Sequence, residues 1–343
     1  MNNLNKELHL TNRPVDMPTL EDFRIVEKSI SELKENEVLV KTLYLSVDPY
    51  MRGRMSDAKS YIEPFQLNEK ISGGAVGEVI ESNSDNFKQG DIVAGMLGWS
   101  EYNVVNGHAL NKINPELAPV TTSLGILGMP GLTAYFGLLD IGQPKEGETV
   151  VISGAAGAVG SIVGQIAKIK GAYVVGIAGS DDKTDYLMNE LNFDKAINYK
   201  TTPNMKEALQ EACPNGVDVY FENVGGEISD AVFTMLNKFA RICVCGAIST
   251  YNLPSNEDIG PRIQRTLIKS SVLMKGFVVN DYAERWSEGI KQIAQWLNEG
   301  KLTYEETITE GFENIPDAFL GLFKGSNLGK QLVKIAEPTY AKL

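Results

Sequence analysis

The stretch Val150-Val151-Ile152-Ser153-Gly154-Ala155-Ala156-Gly157-Ala158-Val159-Gly160 constrains the chain more than any other. β-prone residues run into a glycine-rich turn. The turn runs into helical spacing, with Ile162, Ile166 and Ile169 on one face and the small Gly160 and Gly164 beside them. Read as G-x-G-x-x-G, the fingerprint falls on Ala155, Gly157 and Gly160, with an extra Gly154 in front. Gly157 lets a backbone approach a pyrophosphate, and Gly160 lets the helix close on the sheet. The helix N-terminus, opened by Ala158 and Val159, offers free amides and a positive dipole end to phosphates. Glycines that merely punctuate a turn are the plainer alternative. A second apolar strand, Tyr173 to Gly179, follows after a helix-length gap, and that context makes Gly157, Ala158, Val159 and Gly160 candidate dinucleotide-binding residues.

At 343 residues the chain has length for two domains. Its net charge of −12 argues against nucleic acid or an anionic membrane as a main partner, and plain solubility accounts for the acidity. The start, Met1-Asn2-Asn3-Leu4-Asn5-Lys6, is polar and does not read as a signal peptide. The apolar region Leu124 to Leu139 is broken by Pro130 and by glycines, too short for a membrane span. Cys213, Cys243 and Cys245 are odd in number, which fits a reduced cytoplasm. Cys243 and Cys245 are expected on opposite sides of a buried strand.

Residues 1–125 read as β-rich. Glu37 to Leu45 is a predicted strand, followed by a polar-aromatic loop, Ser46-Val47-Asp48-Pro49-Tyr50-Met51-Arg52-Gly53-Arg54-Met55. Ile71 to Ile80 reads as a glycine-rich strand pair, and Gly90-Asp91 opens a turn into Ile92-Val93-Ala94. Short strands at this spacing predict a barrel-like β-domain. Beyond it strand and helix alternate: strands at 149–153, 173–178, 217–221, 241–246 and 272–279, helices at 158–170, 182–191, 204–212, 227–237 and 281–299. Such alternation predicts an α/β fold with a doubly wound parallel (Rossmann) sheet. Tyr304 to Ile308 and Leu332 to Ile335 return to strand texture. The expected division is therefore 1–125 with 303–343 as a β-rich substrate domain, and 126–302 as the dinucleotide domain, with the active site in the cleft between them.

These motifs together resemble a known family. The Ala-Ala-Gly-Ala-Val-Gly turn (155–160), Phe-Glu-Asn-Val-Gly-Gly (221–226) and Cys-Gly-Ala-Ile-Ser-Thr-Tyr-Asn (245–252) are similar to those of zinc-independent medium-chain dehydrogenases/reductases. The resemblance is to the prostaglandin reductase, leukotriene B4 dehydrogenase and alkenal double-bond reductase branch. Asp48-Pro49-Tyr50-Met51-Arg52 and Asn327-Leu328-Gly329-Lys330 belong to the same pattern. It implies a GroES-like β-barrel domain beside the Rossmann domain and a homodimer. The residues agree on zinc: His9, His108 and three cysteines in the nucleotide half do not make tetrahedral sites at sensible spacing. No Tyr-x-x-x-Lys pair occurs either. Without metal or a lysine-assisted tyrosine, holding an alkoxide is hard. Adding hydride to a double bond conjugated to a carbonyl spreads charge over an enolate that modest hydrogen bonding can hold.

NAD-type sites put an acid at the end of the second strand. Here that strand ends Ala178-Gly179-Ser180, followed by Asp181, Asp182 and Lys183. Ser180 can hydrogen-bond a phosphate and Lys183 can neutralise one, or Lys183 is a solvated lysine; the two acids suit a helix first turn. The resemblance assigns Lys183 and Tyr199 to a 2′-phosphate, implying NADPH/NADP+. Asn223 ends a strand where ligands bind in such sheets, or is a turn residue before two glycines. Cys245, Gly246, Ala247, Ile248, Ser249 and Tyr251 are expected on the nicotinamide side. Phe277, Val278 and Val279 resemble a segment pairing with the carboxamide, or form a core strand, and Asn327 is expected to return to the cofactor. Tyr50 and Tyr251 are candidate donors to an enolate oxygen, or amphipathic packing residues. Arg52 binds an acidic substrate group or pairs with Asp48.

The expected activity is NADPH-dependent reduction of enones and enals, with hydride reaching the β-carbon. An NADPH:quinone oxidoreductase shares fold and cofactor, and a non-catalytic NADPH-binding sensor is the alternative of another class, since fold does not imply function.

Overall fold

The computed structural model describes residues 4–254 and 256–342. The chain divides into two units, Met1–Leu124 with Glu306–Ser326 and Gln331–Leu343, and Gly125–Glu305 with Asn327–Lys330.

In the first unit the strands pair antiparallel, and the long ones at its centre are buried over most of their length. The strands β1 (Leu4–Leu10) and β2 (Phe23–Ser29) form a two-stranded ribbon. There follow β3 (Glu37–Ser46), β4 (Ser72–Ser82), β5 (Ile92–Gly98), β6 (Tyr102–Asn106) and β7 (Leu110–Ile113). Two expectations change here. The polar-aromatic loop contains a helical turn, α1 (Met51–Arg54), whose Met51 is fully buried. The expected strand pair at 71–80 is the single long strand β4. Its glycines serve close approach, not a turn: a Cβ on Gly77 would lie 2.3 Å from Val40 Cγ1 and 2.6 Å from the Lys41 carbonyl oxygen on β3.

In the second unit, α2 (Met129–Phe136) precedes an alternating series: β8 (Thr149–Ser153), α3 (Gly160–Ile169), β9 (Tyr173–Ala178), α4 (Asp181–Asn189), β10 (Lys195–Asn198), α5 (Met205–Ala212), β11 (Val217–Glu222), α6 (Gly226–Phe233), β12 (Leu236–Val244), α7 (Gln264–Ser270), β13 (Leu273–Gly276) and α8 (Trp286–Asn298). The sheet is parallel, in the order β10-β9-β8-β11-β12-β13. Both faces of its central strands are dry, and β8 carries the apolar run Val150–Ile152 between a buried Thr149 and a buried Ser153. Val150, Ile152, Val174, Val219 and Phe221 pack with Ile162, Ile166 and Ile293 on one side. Val151, Val175, Ile177, Tyr220 and Ile242 pack with Leu209 and Val232 on the other.

Two boundaries move, and one pair of side chains faces otherwise than expected. The helix expected to 237 stops at Phe233, because Leu236 already pairs with Val217, and β12 absorbs extra residues between that pair and Val219–Arg241. The strand expected to 279 stops at Gly276, and Val279 opens a 3-10 helix over Val279–Arg285. Cys243 and Cys245 pack against one and the same core, not opposite ones, as side chains two apart on a strand must.

The strands β14 (Glu306–Glu310) and β15 (Lys330–Lys334), with α9 (Ile315–Lys324) between them, complete the first unit, giving the order β14-β15-β3-β4-β5-β7 with β6 on β3. Phe319 of α9 meets Trp99 and Phe23 edge to face, at 6.2 and 6.3 Å between ring centres. Asn327–Lys330 falls with the second unit because the Gly329 amide donates to Ala156 O at 2.8 Å and the Lys330 amide to Glu305 O at 2.9 Å. Among the described residues no helix is long and apolar enough to cross a membrane.

Candidate active site

The glycine turn is built as its spacing demands, with one shift of roles. Gly154, the extra glycine, takes the left-handed conformation at φ +60° and makes the turn. A Cβ on Gly160 would lie 2.4 Å from the Gly154 carbonyl oxygen and 2.8 Å from Ala155 Cα, so the start of α3 lies against the backbone of the turn that leaves β8. Helix α3 begins at Gly160, so Ala158 and Val159 belong to the turn. Gly157 and Gly329 pair as a parallel bridge, and Asn327 Nδ2 donates to Gly329 O at 2.8 Å. Asn327 and the glycine turn thus share one small assembly.

The carboxyl end of β9 supplies a second group. Ser180 caps α4, its Oγ accepting the Lys183 amide at 3.4 Å. The Tyr199 ring lies against Gly179, where a Cβ would meet Cε1 at 2.9 Å and the hydroxyl at 3.0 Å. A side chain at 179, acidic or otherwise, would displace Tyr199. The Lys183 ammonium sits below the usual lysine range, first through burial and then through the charge of Lys200.

The third group hangs on Glu222, which the sequence reading passed over. Glu222 ends β11, buried at 3 % exposure. Its Oε1 accepts the Ser153 hydroxyl at 2.9 Å and the amides of Val224 at 2.9 Å and Gly225 at 2.8 Å; its Oε2 accepts the Ser229 hydroxyl. Its backbone carbonyl accepts the amides of Cys245 at 2.9 Å and Gly246 at 3.0 Å. One residue therefore shapes both the 223–226 turn and the 245–251 turn. Asn223 is locked to β8, its amide on Ser153 Oγ at 2.9 Å and its Nδ2 on Ser153 O at 2.8 Å. The two turns are also stitched to each other, Ile248 N to Asn223 O at 3.2 Å and Ser249 Oγ to Val224 O at 2.6 Å. The signal that finds Glu222 is a carboxylate set into an apolar strand, directly before Asn223.

Tyr251 closes this group. Its hydroxyl oxygen accepts the Ala247 amide at 3.2 Å, which leaves the phenolic proton available to donate. Burial raises its pKa most, the Ala247 bond opposes that, and Cys245 and Glu222 add to it. The Cys245 thiol is pushed up to about 12 by burial and then by Glu222, so it is not a thiolate nucleophile. Phe277 packs into the space left by Gly137, whose Cβ would lie 2.4 Å from the ring, and meets Phe221 edge on at 6.2 Å. Val279, buried, gives its carbonyl to Trp286 Nε1 at 3.1 Å, and the Val278 amide donates to Asp281 Oδ2 at 3.4 Å.

In the strand-rich unit, Tyr50 precedes α1 and stands near Arg54, whose guanidinium lies over the Phe65 ring at 4.0 Å and whose Nε donates to Glu63 O at 2.9 Å. The Tyr50 side chain is itself half-buried. Burial first, then the nearby Asp48, pushes its pKa well above the phenol range. Arg54 is a second residue the sequence reading missed. Arg52 is buried, and its Nη2 donates to Pro14 O at 3.1 Å and Asp16 O at 3.0 Å, which ties that loop to α1.

Residues 6–113 match the family described as the N-terminal domain of oxidoreductase, and 158–295 the family described as zinc-binding dehydrogenase. Among the described residues no three His, Cys, Asp or Glu side chains gather as ligands would, and Cys213 and Cys243 are sealed in apolar cores. The chain is 65 % identical over 97 % of its length, and 98 % of the relative's, to a Bacillus subtilis protein whose name assigns it to the NADP-dependent oxidoreductases. It is 45 % identical, over 97 % of both chains, to the NADPH-dependent curcumin reductase of Escherichia coli. The crystal structure of CurA from Vibrio vulnificus in complex with NADPH superposes with a TM-score of 0.92 at 44 % identity, covering 97 % of this chain and 100 % of that one. A parallel nucleotide-type sheet joined to a GroES-like antiparallel unit is the fold of the medium-chain dehydrogenases/reductases, and the chain belongs to that superfamily, in its prostaglandin reductase, curcumin reductase and alkenal reductase branch.

Proposed function

We propose that this chain is an NADPH-dependent reductase of the carbon–carbon double bond of α,β-unsaturated ketones and aldehydes, working without zinc. The observation that carries the reading is Tyr251, a half-buried side chain whose hydroxyl oxygen accepts the Ala247 amide and can still donate its proton, set on a turn anchored by Glu222.

The donor set fits NADPH. The turn at Gly157, Ala158, Val159 and Gly160 suits the pyrophosphate, with Asn327 beside it. Ser180, Lys183 and Tyr199 suit the 2′-phosphate, since the strand end has no room for the acid that an NAD site uses. Asn223, the 245–251 turn (Cys245, Gly246, Ala247, Ile248, Ser249, Tyr251) and Phe277, Val278 and Val279 are assigned to the nicotinamide side. Bound there, the cofactor would supply a hydride to the β-carbon of the substrate. Tyr251 would donate a hydrogen bond to the carbonyl oxygen as it becomes an enolate oxygen, the charge that most needs stabilising, and the α-carbon would take its proton from solvent or through a tyrosine. Tyr50 is assigned the same kind of contact, with Arg52 and Arg54 holding its loop in shape.

We also assign a second copy of the chain to the free edge of β13. All four of its residues are exposed, and neighbouring α7 buries none. Ile268 at 80 % and Leu273 at 52 % exposure add apolar surface. An open parallel-sheet edge of this kind pairs readily with an identical one about a two-fold axis.

The deciding assay follows NADPH absorbance with a medium-chain enone and, separately, a quinone. Loss with the enone and recovery of the saturated ketone are expected. Turnover of quinone alone would replace the reading with a quinone oxidoreductase, and tight NADPH binding without turnover of either would favour the sensor.

A further inference from the structure

A cation beyond β10 is left unused by this reading. Asn198 ends that strand, and its side chain faces two ways. Nδ2 donates to Asp181 Oδ1 at 2.7 Å, and Oδ1 accepts the Lys200 amide at 3.1 Å. The turn is tied further by Thr202, whose amide and hydroxyl both donate to Asn198 O, at 3.1 and 2.7 Å. Asp181, the first acid after the β9 strand end, is thereby engaged by an amide. The same amide side chain fixes the backbone of Lys200 immediately after Tyr199.

Asn198 therefore spans from the start of α4, which carries Lys183, to Lys200, and after burial the Lys200 charge is what lowers the Lys183 ammonium. Lys183 in the first turn of α4 and Lys200 next to the Tyr199 that covers Gly179 are thus held at the two ends of one Asn198 link. Mutual repulsion of like charges is unfavourable in isolation and is relieved by a dianion placed between them. A phosphate monoester, carrying about −1.5 to −2 charges at neutral pH, is such a group. Lysines suit it because they act as point charges.

We propose that Lys200 is the second cation of the 2′-phosphate subsite, that it strengthens the preference for NADPH over NADH, and that Asn198 positions it. The proposal rests on the cofactor reading given above.

The test is calorimetric binding of 2′,5′-ADP and of 5′-AMP to the full chain, with Lys200→Gln, Lys200→Arg and Lys183→Gln. The expected result is a roughly three- to tenfold weaker 2′,5′-ADP affinity for Lys200→Gln, recovery of most of it in Lys200→Arg, and unchanged 5′-AMP binding. Lys200 is exposed, so its melting temperature should not move. Unchanged 2′,5′-ADP binding by Lys200→Gln, alongside weakened binding by Lys183→Gln, would overturn the role of Lys200 and leave the cofactor reading standing. Equal affinity of the wild-type chain for the two nucleotides would overturn that reading, and the proposal with it.

Discussion

Glu222 and Tyr251 show how single residues set the chemistry. Glu222 accepts four donors with its carboxylate, so a glutamine in its place sets an N–H₂ against at least one buried N–H or O–H. Glu222→Gln is expected to cost about 1–3 kcal/mol in urea unfolding, the usual penalty for stranding a buried donor. NADPH affinity should fall with it, since both turns lose their anchor. A variant with wild-type stability would refute this account of the turns. Tyr251→Phe keeps the ring and removes the donor, and kcat should drop about 100-fold with the NADPH Kd unchanged. The pH dependence has a definite sign. Only the protonated phenol donates, and its pKa is raised by burial, then by Cys245 and Glu222 against the opposing Ala247 bond. Activity should therefore stay level through the ordinary tyrosine range near ~10 and fall only above it. A kcat profile falling below that range would remove Tyr251 from the role.

At the scale of elements, the β8–turn–α3 unit is the most tightly determined part of the chain. The helix start and the turn that leaves the strand are in backbone contact at Gly160, where a methyl group meets carbonyl and Cα atoms that cannot rotate away. Gly160→Ala is expected to lower stability by about 1–3 kcal/mol through overpacking. It should also weaken NADPH binding by at least about tenfold, because the shift moves amides that face the phosphates. Normal affinity measured by fluorescence titration would show that α3 adjusts without cost. The long β4 teaches the complementary lesson. Its glycines look like turn residues in the sequence, yet Gly77 is extended and lies hard against β3. Composition alone does not distinguish a glycine that bends the chain from one that lets two strands touch.

For the whole molecule, the exposed β13 edge predicts assembly. Leu273→Glu places like charges opposite one another when two copies meet, and sedimentation should report a shift toward monomer. A wild-type chain that sediments as a monomer at micromolar concentration would disprove the edge pairing. Deuteride from labelled NADPH should appear at the β-carbon of the saturated product, read by NMR. Label at the α-carbon would reverse the assigned polarity of the reaction.

Much of this was legible in the order of residues. Periodicity alone locates β8, β9, β11 and α3 within two residues, because a buried strand must be apolar throughout and an amphipathic helix must repeat every 3.6. The glycine turn, the bare strand end at Gly179 and the long motifs likewise identify a dinucleotide site and the family. What sequence did not disclose are partnerships between residues far apart in the chain. Glu222 serves turns at 224–225 and 245–246 at once, and Asn198 links Asp181 to Lys200. Arg52 donates to the carbonyls of residues 14 and 16, and Arg54 donates to the carbonyl of Glu63. Local propensity and spacing act along the chain and are written in it. Hydrogen-bond satisfaction and charge proximity depend on which strands the folded sheet brings side by side, so only the tertiary structure could decide them.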